Sequence, residues 1–180
     1  MDDQFTPSTE AVPSKLPRLF LSAVILIILG YFLASLLTPK KTLLGATVDV
    51  KETSSGTVLK ARVDTGASIC SLHCKNIVIA DAEEAPEENS GKKVRFLLES
   101  PDGDTHWLES TILGYAGVRS ASGTTNRYQV RLRLLCQGVA KEAIVSLNDR
   151  SAMKYPLLLG REFLQDDFIV DVSRDNPDYP

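Results

Sequence analysis

Ala61-Arg62-Val63-Asp64-Thr65-Gly66-Ala67-Ser68 is the stretch whose reading decides the fold. Leu59, Ala61 and Val63 alternate with Val58, Lys60, Arg62 and Asp64, a period of two that predicts a strand with one apolar face. The strand ends in a carboxylate, then a small hydroxyl side chain, then glycine. By itself Asp-Thr-Gly also fits a strand closing into a turn, because Asp and Gly both supply turn chemistry. About ninety residues on comes Pro156-Leu157-Leu158-Leu159-Gly160-Arg161-Glu162-Phe163-Leu164. An apolar run closed by glycine suits a strand buried on both faces with another backbone passing close beside it. A short helix is expected from Arg161 to Gln165.

The sequence between and around these two stretches also reads as β-structure. Lys93–Leu98, Trp107–Leu113, Tyr128–Leu134, Ala143–Leu147 and Phe168–Val172 are strand-like, and Asp102-Gly103 and Ser120–Gly123 are natural turns. No internal repeat is visible. The expected fold class is therefore all-β, a barrel or sandwich with one short helix. Asp81–Gly91, DAEEAPEENSG, holds five carboxylates and no large apolar residue, and reads as a solvated loop. A cation site there would lack a rigid ligand cage.

The chain has 180 residues, room for one ordinary domain plus an appendage. Twenty Lys and Arg against 23 Asp and Glu give no broad electrostatic reason to expect nucleic-acid binding. At 43% hydrophobic and 24% charged, the chain as a whole is not of disordered composition. Cys70, Cys74 and Cys136 are an odd number, so at least one thiol stays unpaired in a monomer. Residues 1–18, rich in Pro, Ser and Thr, read as a disordered tail. Residues 19–37, LFLSAVILIILGYFLASLL, contain no charge and as a helix would reach roughly 28 Å, close to the hydrocarbon thickness of a bilayer. Lys15, Arg18, Lys40 and Lys41 flank the run, where long cationic chains can snorkel. A cleaved signal peptide would want a shorter apolar core and a small-x-small site, and a buried core helix would show a polar stripe. The expectation is a single N-terminal transmembrane helix over 19–37, a linker over 38–43 and a domain over 44–180. The short N-terminal tail favours a single-pass inner-membrane protein with the domain in the periplasm. The nearly balanced flanking charges barely vote on orientation.

In this order and spacing, the Asp64-Thr65-Gly66 and Leu158-Leu159-Gly160-Arg161 stretches resemble the retropepsin-like aspartic peptidases. ARVDTGASICSLH, VRSASGTTNRYQVRLRL and LNDRSAMKYPLLLGREFL resemble in particular a bacterial family often labelled ATP-dependent zinc peptidases. The resemblance covers about Leu44 to Ser173 and implies a retropepsin-like acid-protease barrel. Neither half of that label finds support in the residues. Gly91-Lys92-Lys93 lacks the rest of a phosphate-binding loop, so no ATP is expected. His73 and His106 are the only histidines and His73 is followed by Cys74, so no metal-peptidase ligand set is expected and no cofactor is implied. Cys70, His73 and Cys74 would share a face only on a helix; on a strand, alternation separates His73 from Cys74.

An aspartic mechanism needs two carboxylates about 3 Å apart sharing one proton. The chain holds one Asp-Ser/Thr-Gly and no second, so the reading requires a homodimer with one Asp64 from each copy. By resemblance Asp64 would be catalytic and Thr65 would bond across the twofold axis. Gly66 would give the tight backbone, Ala67 and Ser68 would line the floor, and Leu158, Leu159, Gly160 and Arg161 would pack beside the loop. A polypeptide substrate would lie extended between the copies. The closing flap is expected within Trp107–Arg133, with Arg119, Ser120, Ser122 and Gly123 at its tip. The expected function is a membrane-anchored aspartic endopeptidase. The alternatives are a non-catalytic peptide-binding module on the same scaffold and a metal-dependent hydrolase using Cys70, His73 and Cys74.

Overall fold

The computed structural model describes residues 16–37, 40–120 and 123–175, with side chains for 20–35, 40–117 and 123–175. The chain divides at Lys40 and Lys41 into two units.

The first unit is a helix, α1 (Leu16–Leu37). Its apolar residues show no helical stripe, and every large apolar side chain from Phe20 to Leu33 is exposed. Among the described residues no helix is long and apolar enough to cross a membrane. The single-pass expectation over 19–37 thus rests on the sequence.

The second unit is built on strands. In chain order they are β1 (Thr42–Leu44), β2 (Thr47–Glu52), β3 (Val58–Val63), β4 (Cys70–His73), β5 (Lys75–Ile79) and β6 (Lys93–Glu99). There follow β7 (Thr105–Ser120), β8 (Gly123–Cys136), β9 (Val139–Asn148), β10 (Leu157–Leu159) and β11 (Phe168–Val170). The only other regular elements described there are a 3-10 turn, Pro86–Asn89, and a one-turn helix, α2 (Arg161–Leu164). Nine strands form one sheet in the order β2-β3-β10-β4-β9-β8-β7-β6-β5. The inner end of β8 also pairs with β2, Val50 against Cys136, which closes six of the strands into a ring. β1 and β11 pair in parallel, Leu43 against Ile169, as a separate two-stranded sheet.

The alternation in the sequence maps onto the core. Leu59, Ala61 and Val63 of β3 point inward, as do Val130, Leu132 and Leu134 of β8, while Lys60, Arg131 and Arg133 are exposed. Val50, Phe96, Ile112, Val145, Leu157, Leu159 and Phe163 complete the interior. The buried Glu52 ends β2 in a turn where Ser54 and Ser55 donate backbone and hydroxyl hydrogens to its carboxylate. Burial pushes this carboxyl up, but the hydrogen bonds from Ser55 and Ser54 together outweigh it and leave the group below the usual glutamate value.

Two expectations need correction. Trp107–Leu113 and Tyr128–Leu134 are only the inner parts of a much longer hairpin, β7–β8. Residues 123–126 are exposed on both faces, so no period-two signal marks them as strand. The acidic segment 81–91 is more than a solvated loop. Its Asn89 is 1% exposed, accepts the Glu83 N–H at 2.9 Å and donates to the Tyr128 hydroxyl at 3.3 Å. Gly91 N–H donates to Ile112 O and Ser90 Oγ to Leu113 O, beside the irregular register between Ile112 and Gly114. The segment therefore clasps the base of the hairpin.

Candidate active site

β10 threads between β3 and β4, parallel to β3 and antiparallel to β4. This short strand brings the two motif stretches together. Asp64 N–H donates to Leu159 O at 3.0 Å, which fixes the end of β3 against β10. The chain then turns over the start of α2, where Arg161 N–H donates to Ala67 O at 2.9 Å and Glu162 N–H to Ser68 O at 3.0 Å. The crossing is tight: a Cβ placed on Gly160 would collide with the Ile69 backbone, and no side chain other than hydrogen fits.

The turn also organises its own carboxylate. Asp64 Oδ1 accepts the Gly66 N–H at 2.8 Å and the Ala67 N–H at 3.2 Å. Oδ2 accepts no hydrogen bond among the described residues, and the side chain is half-buried. One oxygen is thus held by fixed backbone dipoles while the other is left without a described hydrogen bond. Arg161, a residue expected only to pack, has a larger part. Its guanidinium donates to Thr65 O at 3.0 Å, Gly66 O at 2.7 Å and Ser68 Oγ at 3.1 Å, a fork that pins the turn from outside. Thr65, Gly66 and Ser68 are exposed, Ala67 and Leu158 half-buried, Leu159 and Gly160 buried. No second carboxylate is described as bonded to Asp64 within the chain.

The structure separates Cys70, His73 and Cys74. Cys70 and Cys74 are buried, and burial pushes their thiols up to about 11 and about 12. His73 turns the other way, its Nδ1 accepting the Arg150 N–H at 2.8 Å. Among the described residues no three His, Cys, Asp or Glu side chains gather as a metal-holding group. Of the expected flap tip, Gly123 is the first residue of β8 and has φ +116°. Arg119 and Ser120 belong to β7 without described side chains, and Ser122 lies outside the described residues.

The sequence left Arg127 and Arg150 without a functional reading. The Arg150 guanidinium is half-buried and lies within electrostatic reach of both Arg127 and Asp64. Burial lowers the pKa of both arginines, and Arg127 lowers that of Arg150 further. Arg150 Nε donates to Tyr155 O and Arg127 Nε to Thr125 Oγ1; neither guanidinium has a described carboxylate partner. Arg150 also lines an open cleft of about 420 Å³ with Lys60, His73, Lys75 and Lys154. Only the spatial meeting of β8 with the segment after β9 could have shown this.

Comparison with known proteins agrees with this layout. The family model described as RimB-like, retropepsin-like aspartic endopeptidase RimB, matches residues 44–177. The chain is 36% identical over 117 residues to a "Probable alpha-L-glutamate ligase" of Parasynechococcus marenigrum, covering 63% of this chain and 24% of that protein. A protein of the same name from Shewanella pealeana is 31% identical over 120 residues, covering 64% of this chain and 25% of that protein. The chain thus spans about a quarter of the length of the curated relatives it matches. The crystal structure of Lpg0085 from Legionella pneumophila, a protein of unknown function, shares the fold. It matches at a TM-score of 0.61 and 24% identity, covering 74% of this chain and 95% of that one. With the family model covering most of the strand-built unit, the chain belongs to the RimB-like family of retropepsin-like aspartic endopeptidases.

Proposed function

We propose that this chain hydrolyses peptide bonds as a homodimer in which each copy contributes Asp64. The observation that carries the reading is the Asp64 carboxylate, with Oδ1 held by two backbone N–H groups and Oδ2 free of described hydrogen bonds, in a largely exposed, pinned turn. Two such carboxylates meeting at a twofold axis cannot both ionise cheaply, so they share a proton. The ionised member takes a proton from water, and the protonated member polarises the scissile carbonyl. Thr65, exposed next to Asp64, is available to bond the partner's turn.

Two cations support an acidic peptide as substrate. Arg150 is within electrostatic reach of Asp64 and of Arg127, and neither arginine has an ion-pair carboxylate among the described residues. The relatives named as glutamate ligases carry a matching stretch within longer chains, and a glutamate-rich peptide is the kind of substrate these arginines would pair with. A membrane anchor over 19–37 is supported by the charge-free run and by the exposed apolar side chains of α1.

The test incubates the full chain in detergent with glutamate-rich and neutral peptides across pH 4–7, comparing wild type with Asp64→Asn. Asn keeps the shape and the Oδ1 acceptor but removes the shareable proton. Cleavage is expected to fall by about a thousandfold or more in the variant, with an unchanged melting temperature. Equal cleavage by both proteins would overturn the reading, as would peptide binding without cleavage in the wild type.

A further inference from the structure

The sequence pairs His73 with two thiols, but the structure gives it other neighbours. His73 closes β4 with its side chain 13% exposed. Its Nδ1 accepts the backbone N–H of Arg150 at 2.8 Å, so that nitrogen carries a lone pair and the neutral ring holds its proton on Nε2. The same Nδ1 lies 3.5 Å from Asp149 Oδ1. One nitrogen cannot serve both neighbours at once. Unprotonated, it accepts from Arg150; protonated, it confronts the Arg150 N–H with another hydrogen and can donate to Asp149 instead.

The held segment matters to the groove. Residues 149–156 run from the end of β9 into β10, and their Arg150 is the residue in electrostatic reach of Asp64. Other bonds also tie the segment, Arg150 Nε to Tyr155 O among them. Met153 N–H donates to Arg150 O, Asp149 Oδ1 accepts the Ser151 N–H, and Pro156 O accepts the His73 N–H. Charged groups face the ring from every packed side. Asp149 and Arg150 come from the segment itself, Lys75 from β5 and Glu99 from β6, the last two joined as an ion pair. Lys60 of β3 and Lys154 line the same cleft.

We propose that His73 is a positioning residue whose unprotonated Nδ1 holds the backbone of Arg150, and with it the 149–156 side of the groove, and whose protonation trades Arg150 for Asp149 and releases that segment. Imidazoles ordinarily change charge between about pH 5 and 8. The effect on substrate rests on the peptidase reading, whereas the exchange of hydrogen bonds does not.

Nuclear magnetic resonance of the labelled full chain in detergent tests it. The His73 ring and the Arg150 amide are followed from pH 4 to 8, with His106→Gln used to assign the only other histidine. The Arg150 amide should titrate with the midpoint of the His73 ring, and its hydrogen exchange, corrected for intrinsic rate, should speed up about tenfold on protonation. In His73→Asn the side-chain oxygen can take the Nδ1 place without titrating, so the amide should stay protected at every pH. His73→Leu should leave it fast throughout. With a cleaved peptide, KM should rise in the wild type as pH falls through the His73 midpoint, and His73→Asn should remove that rise. An Arg150 amide indifferent to the ring, or a wild-type pH dependence retained in His73→Asn, overturns the proposal. Absence of cleavage would count against the peptidase reading alone, because the amide titration decides the exchange separately.

Discussion

The turn at 64–68 and the outer half of the β7–β8 hairpin are both largely exposed, yet they are secured in opposite ways. The turn is held by groups from more than ninety residues away: the Leu159 carbonyl, the Arg161 and Glu162 amides and the Arg161 guanidinium. The outer hairpin is held by its own partner strand, Val118 against Thr125 and Arg119 against Thr124. The long-range fastenings described for the hairpin gather at its base, where Asn89 meets Tyr128 and where Ser90 and Gly91 bond Leu113 O and Ile112 O. Backbone fixed by partners distant in sequence opens only with the domain, whereas a locally paired arm opens by itself. A catalytic carboxylate needs the first kind of support and a closing flap needs the second.

Substitutions can break or sharpen this contrast. The largest effect is expected at Gly160→Ala, whose new Cβ has backbone on the far side and cannot rotate away. A loss of about 3 kcal/mol, read as a melting temperature roughly 10 °C lower, is expected; a neutral result would mean the crossing is looser than it looks. Asn89→Ala strips the clasp and leaves the Glu83 N–H without its acceptor, for about 2 kcal/mol by chemical denaturation. It should also speed hydrogen exchange along the hairpin base before it does so at β10. Arg161→Lys keeps the charge but cannot fork to two carbonyls and a hydroxyl. About 1 kcal/mol of stability should go, with a larger proportional loss of peptide cleavage. Thr124→Ala, on the exposed arm, should change stability by less than about 0.5 kcal/mol. If Thr124→Ala cost more than Arg161→Lys, the contrast between the two regions would fail.

The same contrast explains what could be read from the sequence. β3, β10 and the inner half of β8 carry one buried face or two, and burial is what writes period-two or continuous apolar patterns into a chain. Gly160 was legible as a close approach because only glycine ends such a run cheaply. The outer hairpin, with no buried face, left no strand pattern, and only the turn residues of Ser120–Gly123 and the family resemblance pointed to it. Asn89 looked like one more polar residue in an acidic loop, since nothing local says that its amide is buried. Nothing in the sequence set Arg127 apart, and Arg150 with Asn148 and Asp149 suggested no more than a structural polar network; the nearness of Arg150 to Asp64 and Arg127 exists only after β8 and the segment beyond β9 have folded together. The work of Arg161 was half visible: its place beside the turn was expected, but its three hydrogen bonds depend on where Thr65, Gly66 and Ser68 point.

The parallel pairing of β1 with β11 has a consequence for architecture. Thr42 lies beside Phe168 and Leu44 beside Val170, stitched by Thr42 N–H to Asp167 O and by Asp171 N–H to Leu44 O, and beyond β11 the chain stays bonded to the start of β2 through Ala46 N–H to Arg174 O and Thr47 Oγ1 to Asp175 O. With its first strand laced along the segment that follows its last, neither end of this unit can peel away without breaking the bonds that hold the other.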